Sequence, residues 1–282
     1  MKTRMRKKQL SSTAKSSNPS QSLPNDLVLI IVARVSVLYY PALSLVSKSF
    51  RSLLASPELY KVRSLLGHTE ICLYVCLKMK PYKTHTWFTL CRKPDRTLTS
   101  SKERRSGFRQ RVNQRQISVC PKSSHLDNTA CIDGKFNVVT SAKVVAYDPK
   151  EGRWDPGLVP ISKHMHSDSS CEIDNVLYSA ADGALRWFDS QVRQWRDLKG
   201  LVGLSRLSPV DQVRLADYGG KMAVMWGVEV PCGSDYPTII CCAVIALERL
   251  NSCEIFGKVE WVDRVFTVFG PFTFVKVVAA TV

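Results

Sequence analysis

The sequence is short of acid, and the shortage is local. Its 40 Lys+Arg face 24 Asp+Glu, a formal net charge of +16. Residues 1–122 hold 24 Lys+Arg against 5 Asp+Glu, a net of +19, while residues 123–282 hold 16 against 19, a net of −3. The basicity therefore belongs to the N-terminal part. No run of eighteen apolar residues is present, so no membrane span or membrane partner is expected. The charged start MKTRMRKKQL is followed by no apolar stretch and does not read as a secretory signal. None of the ten cysteines forms a Cys-x-x-Cys pair, which predicts free thiols in a reducing setting, cytoplasm or nucleus. A Gly-rich phosphate loop, a Gly-x-Ser-x-Gly elbow and a paired-acid motif are all missing, so catalysis and a bound cofactor are not expected. His164-x-His166, with Asp168 and Cys171 nearby, is the nearest approach to a metal set. It lacks a completing cluster and reads as loop. Cys241 and Cys242 point to opposite faces of a strand and cannot simply share one ion.

Against these absences, Ser22 to Tyr60 carries a specific pattern. Leu23-Pro24 opens a helix in which Leu27, Ile30, Ile31 and Arg34 recur at helical spacing. Pro41 opens a second helix with Leu43, Leu45 and Val46 behind it. Ser47 caps a third through Phe50, Leu53 and Leu54, and Pro57 starts a further turn. About forty residues of short helices make little core alone, so this unit needs a neighbour.

Leu23-Pro24-x-Asp26-Leu27, Ile31, Arg34 and Leu43-x-x-Val46-x-Lys48-x-Phe50-Arg51 resemble the F-box, of the plant type. The resemblance covers Gln21 to Gly67. It implies docking on the Skp-family adaptor of a cullin-based ubiquitin ligase through Leu23, Pro24, Leu27, Ile31, Leu43, Val46 and Phe50. Phe50 stands where many F-boxes carry tryptophan, which keeps an apolar plug and loses the indole donor.

Two basic runs flank this unit. Lys2–Lys8 precedes a Ser-rich tail, and Lys102–Arg115 lies beyond. Both read as solvated segments. Phe108 is the only aromatic in the second run, too few for base stacking, so nucleic acid is not the expected partner. Between the runs, Thr69–Leu77 and Trp87–Leu90 read as strands.

From residue 131 the chain repeats. Ile132, Asp133, Gly134, Phe136, Tyr147, Asp148 and Trp154 match Ile173, Asp174, Asn175, Leu177, Phe188, Asp189 and Trp195, each at an offset of 41. A third copy starts at Tyr218-Gly219-Gly220-Lys221, and a looser fourth is expected over Cys241–Val282. The Asp-Gly-Lys turn, apolar strand, aromatic-Asp and later Trp resemble the kelch repeat. Gly134, Tyr147, Trp154, Phe188, Trp195 and Gly220 are then structural positions, with Trp154 and Trp195 as core between sheets. The usual Gly-Gly pair after the second strand is missing. Thr140-Ser141, Ala181-Asp182 and Trp226-Gly227 stand there instead, so the tight turn must be made another way.

The expected fold is multi-domain: a small all-α F-box followed by an all-β kelch-type propeller with few or incomplete blades. Residues 1–20 form a tail, 21–67 the F-box, 68–122 linker strands with the basic segment, and 123–282 the kelch domain. The apolar run FTFVKVVAATV should pair with an earlier blade. The expected function is substrate recognition in a Skp-cullin-F-box ubiquitin ligase, with the kelch domain holding a target protein through loop tips such as Ile161–Ser170 and Gly227–Tyr236. The rivals are a basic nucleic-acid-binding protein and a shortened relative without ligase function.

Overall fold

The computed structural model describes residues 23–80, 84–92, 108–113, 129–132, 134–139, 144–156, 169–207, 212–230 and 237–282. The tail, His164, His166 and most of the two loop tips lie outside the described residues.

Four short α-helices come first: α1 (Asn25–Ala33), α2 (Tyr40–Leu43), α3 (Lys48–Leu54) and α4 (Pro57–Leu65), with a 3-10 turn over Val37–Tyr39 before α2. Their ends follow local chemistry. Pro24 stands one position earlier than expected, as the cap of α1. Its extended ψ of 141° suits a residue outside the helix, and its carbonyl accepts from the N–H groups of Leu27 and Val28 at 3.0 and 3.1 Å. Ser36 caps the 3-10 turn through Leu38 N–H, and Ser47 caps α3 through Phe50 N–H at 3.1 Å. Pro57 opens α4, where its missing N–H costs nothing.

Beyond the helices, the described residues form sixteen antiparallel strands in four sheets of four. The second blade runs β4 (Thr129–Ile132), β5 (Lys135–Val139), β6 (Val144–Asp148) and β7 (Arg153–Pro156). The third runs β8 (Ser170–Ile173), β9 (Val176–Ala181), β10 (Ala184–Asp189) and β11 (Gln194–Asp197). The fourth runs β12 (Arg214–Asp217), β13 (Met222–Glu229), β14 (Thr238–Asn251) and β15 (Glu254–Val268). The first blade is discontinuous: β1 (Ile71–Met79), β2 (Thr84–Arg92) and β3 (Phe108–Asn113) are joined by the last strand, β16 (Phe272–Thr281), on the free side of β1.

Two expectations are corrected here. Residues 68–122 are not only a linker, because they supply three strands of a blade, and part of the basic run is strand β3 paired with β2 from Trp87↔Asn113 to Arg92↔Phe108. The fourth repeat over Cys241–Val282 is also not one unit. β14 and β15 complete the blade begun at Arg214, and only β16 goes elsewhere. Apolar strands pair where a partner edge is free, and β1 offers that edge.

Blades pack face to face because side chains alternate along each strand. In the fourth blade Leu215, Met222, Val224 and Trp226 face Tyr178, Leu185 and Trp187 of the third. Ala216, Ala223, Met225 and Ile240 face Leu73, Val75, Leu77 and Phe88 of the first. Both faces are buried, so β13 and β14 read as continuous apolar runs. Cys241 and Cys242 fall into these two opposite cores. The third blade covers the second more thinly, with Leu177 and Phe188 against Ala130 and Ile132. Innermost strands touch in the order β4, β8, β12, β16. Among the described residues no comparable contact joins the second blade to the first.

In the third blade the turn where the glycine pair is missing is made by Asp182 and Gly183, which take positive φ of 55° and 76°; the earlier β8–β9 turn uses Asp174 and Asn175 at 49° and 60°. Asp-Gly and Asp-Asn reach this mirror-image turn at low cost because short polar side chains tolerate the left-handed region.

Candidate functional site

The helices bury one side and leave the other bare. Val32, Ala33, Val37, Tyr40, Leu54 and Leu59 form their core, with Val28, Leu29, Leu43, Phe50, Leu53 and Val62 packed against it. On the opposite side of α1, Leu27 and Ile31 are 47% and 53% exposed, and Leu23 before it is 55% exposed. Leu45 and Val46, between α2 and α3, are 78% and 65% exposed. A helix that is apolar on both sides and covered on one presents a docking face.

The structure divides the seven residues assigned to docking. Leu23, Pro24, Leu27, Ile31 and Val46 are exposed and available. Leu43 and Phe50 are half-buried against the helices' own core. Both keep part of their surface exposed while packing on that core, and Ser47 caps α3 just before Phe50. Leu45, outside the expected set, is exposed beside the half-buried Leu43 and the exposed Val46.

The structural positions of the repeats sort by neighbour. Tyr147 and Trp154 pack tilted with centroids 5.1 Å apart, and Phe188 and Trp195 pack edge-on at 5.4 Å. Phe188 is 3% exposed and Trp195 is partly buried, because the second blade lies over them. Trp154 is 60% exposed and Phe136 48% exposed, since among the described residues no such neighbour covers the second blade. The expectation that Trp154 is core is therefore corrected. Gly134 and Gly220 take φ of 74° and 79° in their turns.

The aromatic-Asp pair has a clear local cause. Asp148 Oδ1 accepts from the N–H groups of Lys150 and Glu151, and its other oxygen meets Lys135 Nζ at 3.2 Å. Asp189 repeats the design with Gln191, Val192 and Arg196, the last at 2.7 Å. The Lys135 bond and two backbone donors hold the Asp148 carboxyl below the usual carboxylate range. At Asp189 burial pushes upward, and the Arg196 bond with two backbone donors outweighs it, so this carboxyl is lowered too.

Among the described residues, the buried thiols are shifted away from the reactive thiolate form. The Cys72 thiol is pushed up by its hydrogen bond to Cys91 and by burial, and Cys76, Cys171, Cys241 and Cys242 are pushed up by burial. Burial also raises Tyr178 to about 12. Among the described residues no group of three His, Cys, Asp or Glu is placed to hold a metal ion.

Comparison with known proteins matches these two regions separately. Residues 20–62 match the F-box domain, and residues 110–266 match the FKB95, Kelch-repeats domain. Three F-box/kelch-repeat proteins of Arabidopsis thaliana are similar over most of their length. One is 44% identical over 329 residues, covering 94% of this chain and 94% of the relative. A second is 39% identical over 366, covering 92% and 99%, and a third is 36% identical over 371, covering 99% and 98%. These aligned lengths exceed the 282 residues here by 47, 84 and 89 positions. With docking helices at one end, strand blades after them and these matches across both, the chain belongs to the F-box/kelch-repeat family.

Proposed function

We propose that this chain is the substrate-recognition subunit of a Skp-cullin-F-box ubiquitin ligase. The observation that carries the reading is the bare apolar face of Leu23, Leu27, Ile31, Leu45 and Val46 on helices whose other side is buried. An adaptor of the Skp family covers that face and brings a cullin scaffold with it. The blades hold a target protein. The chemistry is proximity: a target held near a ubiquitin-charged enzyme reacts at a raised effective concentration, and this chain makes no bond itself. A cytoplasmic or nuclear setting fits its free thiols.

The test is titration of the purified chain with a plant Skp-family adaptor. Three variants accompany it: Leu23→Ala with Pro24→Ala, Leu45→Asp, and Phe50→Ala. The first two are expected to abolish binding with an unchanged circular dichroism spectrum. Phe50→Ala is expected to lower thermal stability as well, because its ring supports the helical core. Wild-type affinity in the Leu23/Pro24 variant would show that the docking face lies elsewhere.

A further inference from the structure

The docking helices and the first blade share one boundary, and three residues close it. Glu70 stands one residue before β1 and extends the β1–β16 ladder. Its N–H donates to the Val282 carbonyl at 2.8 Å, and Val282 N–H donates back at 2.9 Å. The Val282 side chain then packs into the helical core with Val28, Leu29 and Val62. The Glu70 carboxylate turns the other way. It accepts from Ser36 Oγ at 3.0 Å and from Val37 N–H at 3.2 Å, at the start of the 3-10 turn.

Glu70 also faces the buried cation of this core. Arg63 is 1% exposed. It donates to the Ala33 and Val35 carbonyls at 3.0 and 2.6 Å and to the Tyr40 hydroxyl at 3.0 Å. These two carbonyls lie at and just beyond the end of α1, the helix whose other side carries Leu27 and Ile31. Glu70 supplies the counter-charge, 3.6 Å from the second guanidinium nitrogen. A guanidinium taken out of water is tolerated only with such a partner. Glu70 keeps its place because the ladder to Val282 holds its backbone.

We infer that closure of the first blade by β16 and formation of the adaptor-docking face are one cooperative event, with Arg63 and Glu70 as positioning residues between them. This rests on the adaptor reading above. Two consequences follow from the coupling. A target on the blades keeps one orientation to the adaptor. A copy whose last strand has not closed on β1 docks poorly, so the adaptor selects folded copies. By linkage, adaptor binding stabilises β16 on β1 to the same degree.

The experiment uses the full chain with Glu70→Gln, Val282→Asp, and the pair Arg63→Met/Glu70→Gln. Adaptor affinity and amide hydrogen exchange across residues 25–33 are read in each. Neither Glu70 nor Val282 belongs to the docking face. Both single variants are nevertheless expected to weaken adaptor binding about tenfold, within the usual range for coupled sites. Exchange in α1 should rise while β8–β15 stay protected. The pair should recover affinity, since removing both charges leaves no buried ion alone. Wild-type affinity with unchanged α1 exchange in Glu70→Gln overturns the inference. If Val282→Asp loses protection in every blade, Glu70→Gln decides, because it alters no strand. If the unmodified chain binds no adaptor, the adaptor reading fails, and the exchange of α1 still decides the coupling.

Discussion

Phe188 and Phe136, at different repeat positions but in the same cross-strand row, test whether the second blade is covered in solution. Phe188 sits in the third blade at 3% exposure, beneath Ala130 and Ile132. Phe136 sits in the equivalent cross-strand row of the second blade at 48% exposure. Truncating Phe188 to Ala removes a fully packed ring and leaves a cavity, a loss of about 3–5 kcal/mol. Phe136 presents roughly 200 Å² in an extended chain, of which about half is covered in the fold. At about 25 cal/mol per Å² that half is worth roughly 2.5 kcal/mol. A compact denatured chain lowers this to about 1.5–2 kcal/mol. No cavity contribution is added, because the space opens to solvent.

The two variants should therefore differ by about 2 kcal/mol, or roughly 4–8 °C in Tm for a chain of this class. Urea unfolding followed by tryptophan fluorescence, together with calorimetry, reads the difference. Acrylamide should also quench Trp154 readily, since it is 60% exposed. Equal losses from Phe136→Ala and Phe188→Ala would mean that a neighbour covers the second blade, and the reasoning from the 41-residue register would fail.

Two more outcomes are expected. Asp148 and Asp189 have folded-state carboxyl values lowered by Lys135 and Arg196 together with backbone donors. Their contribution to stability is complete above the unfolded value of about 3.9 and is lost as pH falls through the folded values. Denaturation midpoints should thus drop below about pH 4, and Asp189→Asn should flatten that slope; an unchanged slope counts against the paired-carboxylate account. Gly219→Ala should destabilise the join between the fourth and first blades. The residue holds φ at 66°, and an added Cβ would collide with the Ile71 side chain, close to where Tyr218 Oη donates to the Ile71 carbonyl at 3.1 Å. A cost of about 1–3 kcal/mol is expected from thermal melts, and no loss would mean that the turn relaxes freely.

The helix starts were legible because capping is local: Ser47, Pro57 and the run after Pro24 act within a few residues of themselves. The repeats were legible for the same reason. A turn and two strands recur every 41 residues, and Asp148 and Asp189 close their own turns. Helical spacing placed Leu27 and Ile31 on one helix, while their exposure, and the half-burial of Leu43 and Phe50, depend on what lies behind them.

What the sequence determined by itself is everything that short-range chemistry can decide: which segments are helix or strand, where they turn, and that two kinds of unit follow one another. Only the tertiary structure decided which edges meet. β16 returns to β1 across nearly the whole chain, so that Ile71 pairs with Thr281 and Val282 reaches the helical core. Trp154 and Trp195 stand at the same place in the repeat, and one is exposed while the other is covered. The physical reason is the same in each case. Burial is a property of neighbours in space, and one repeat unit does not encode which neighbour, or whether any, will lie against it.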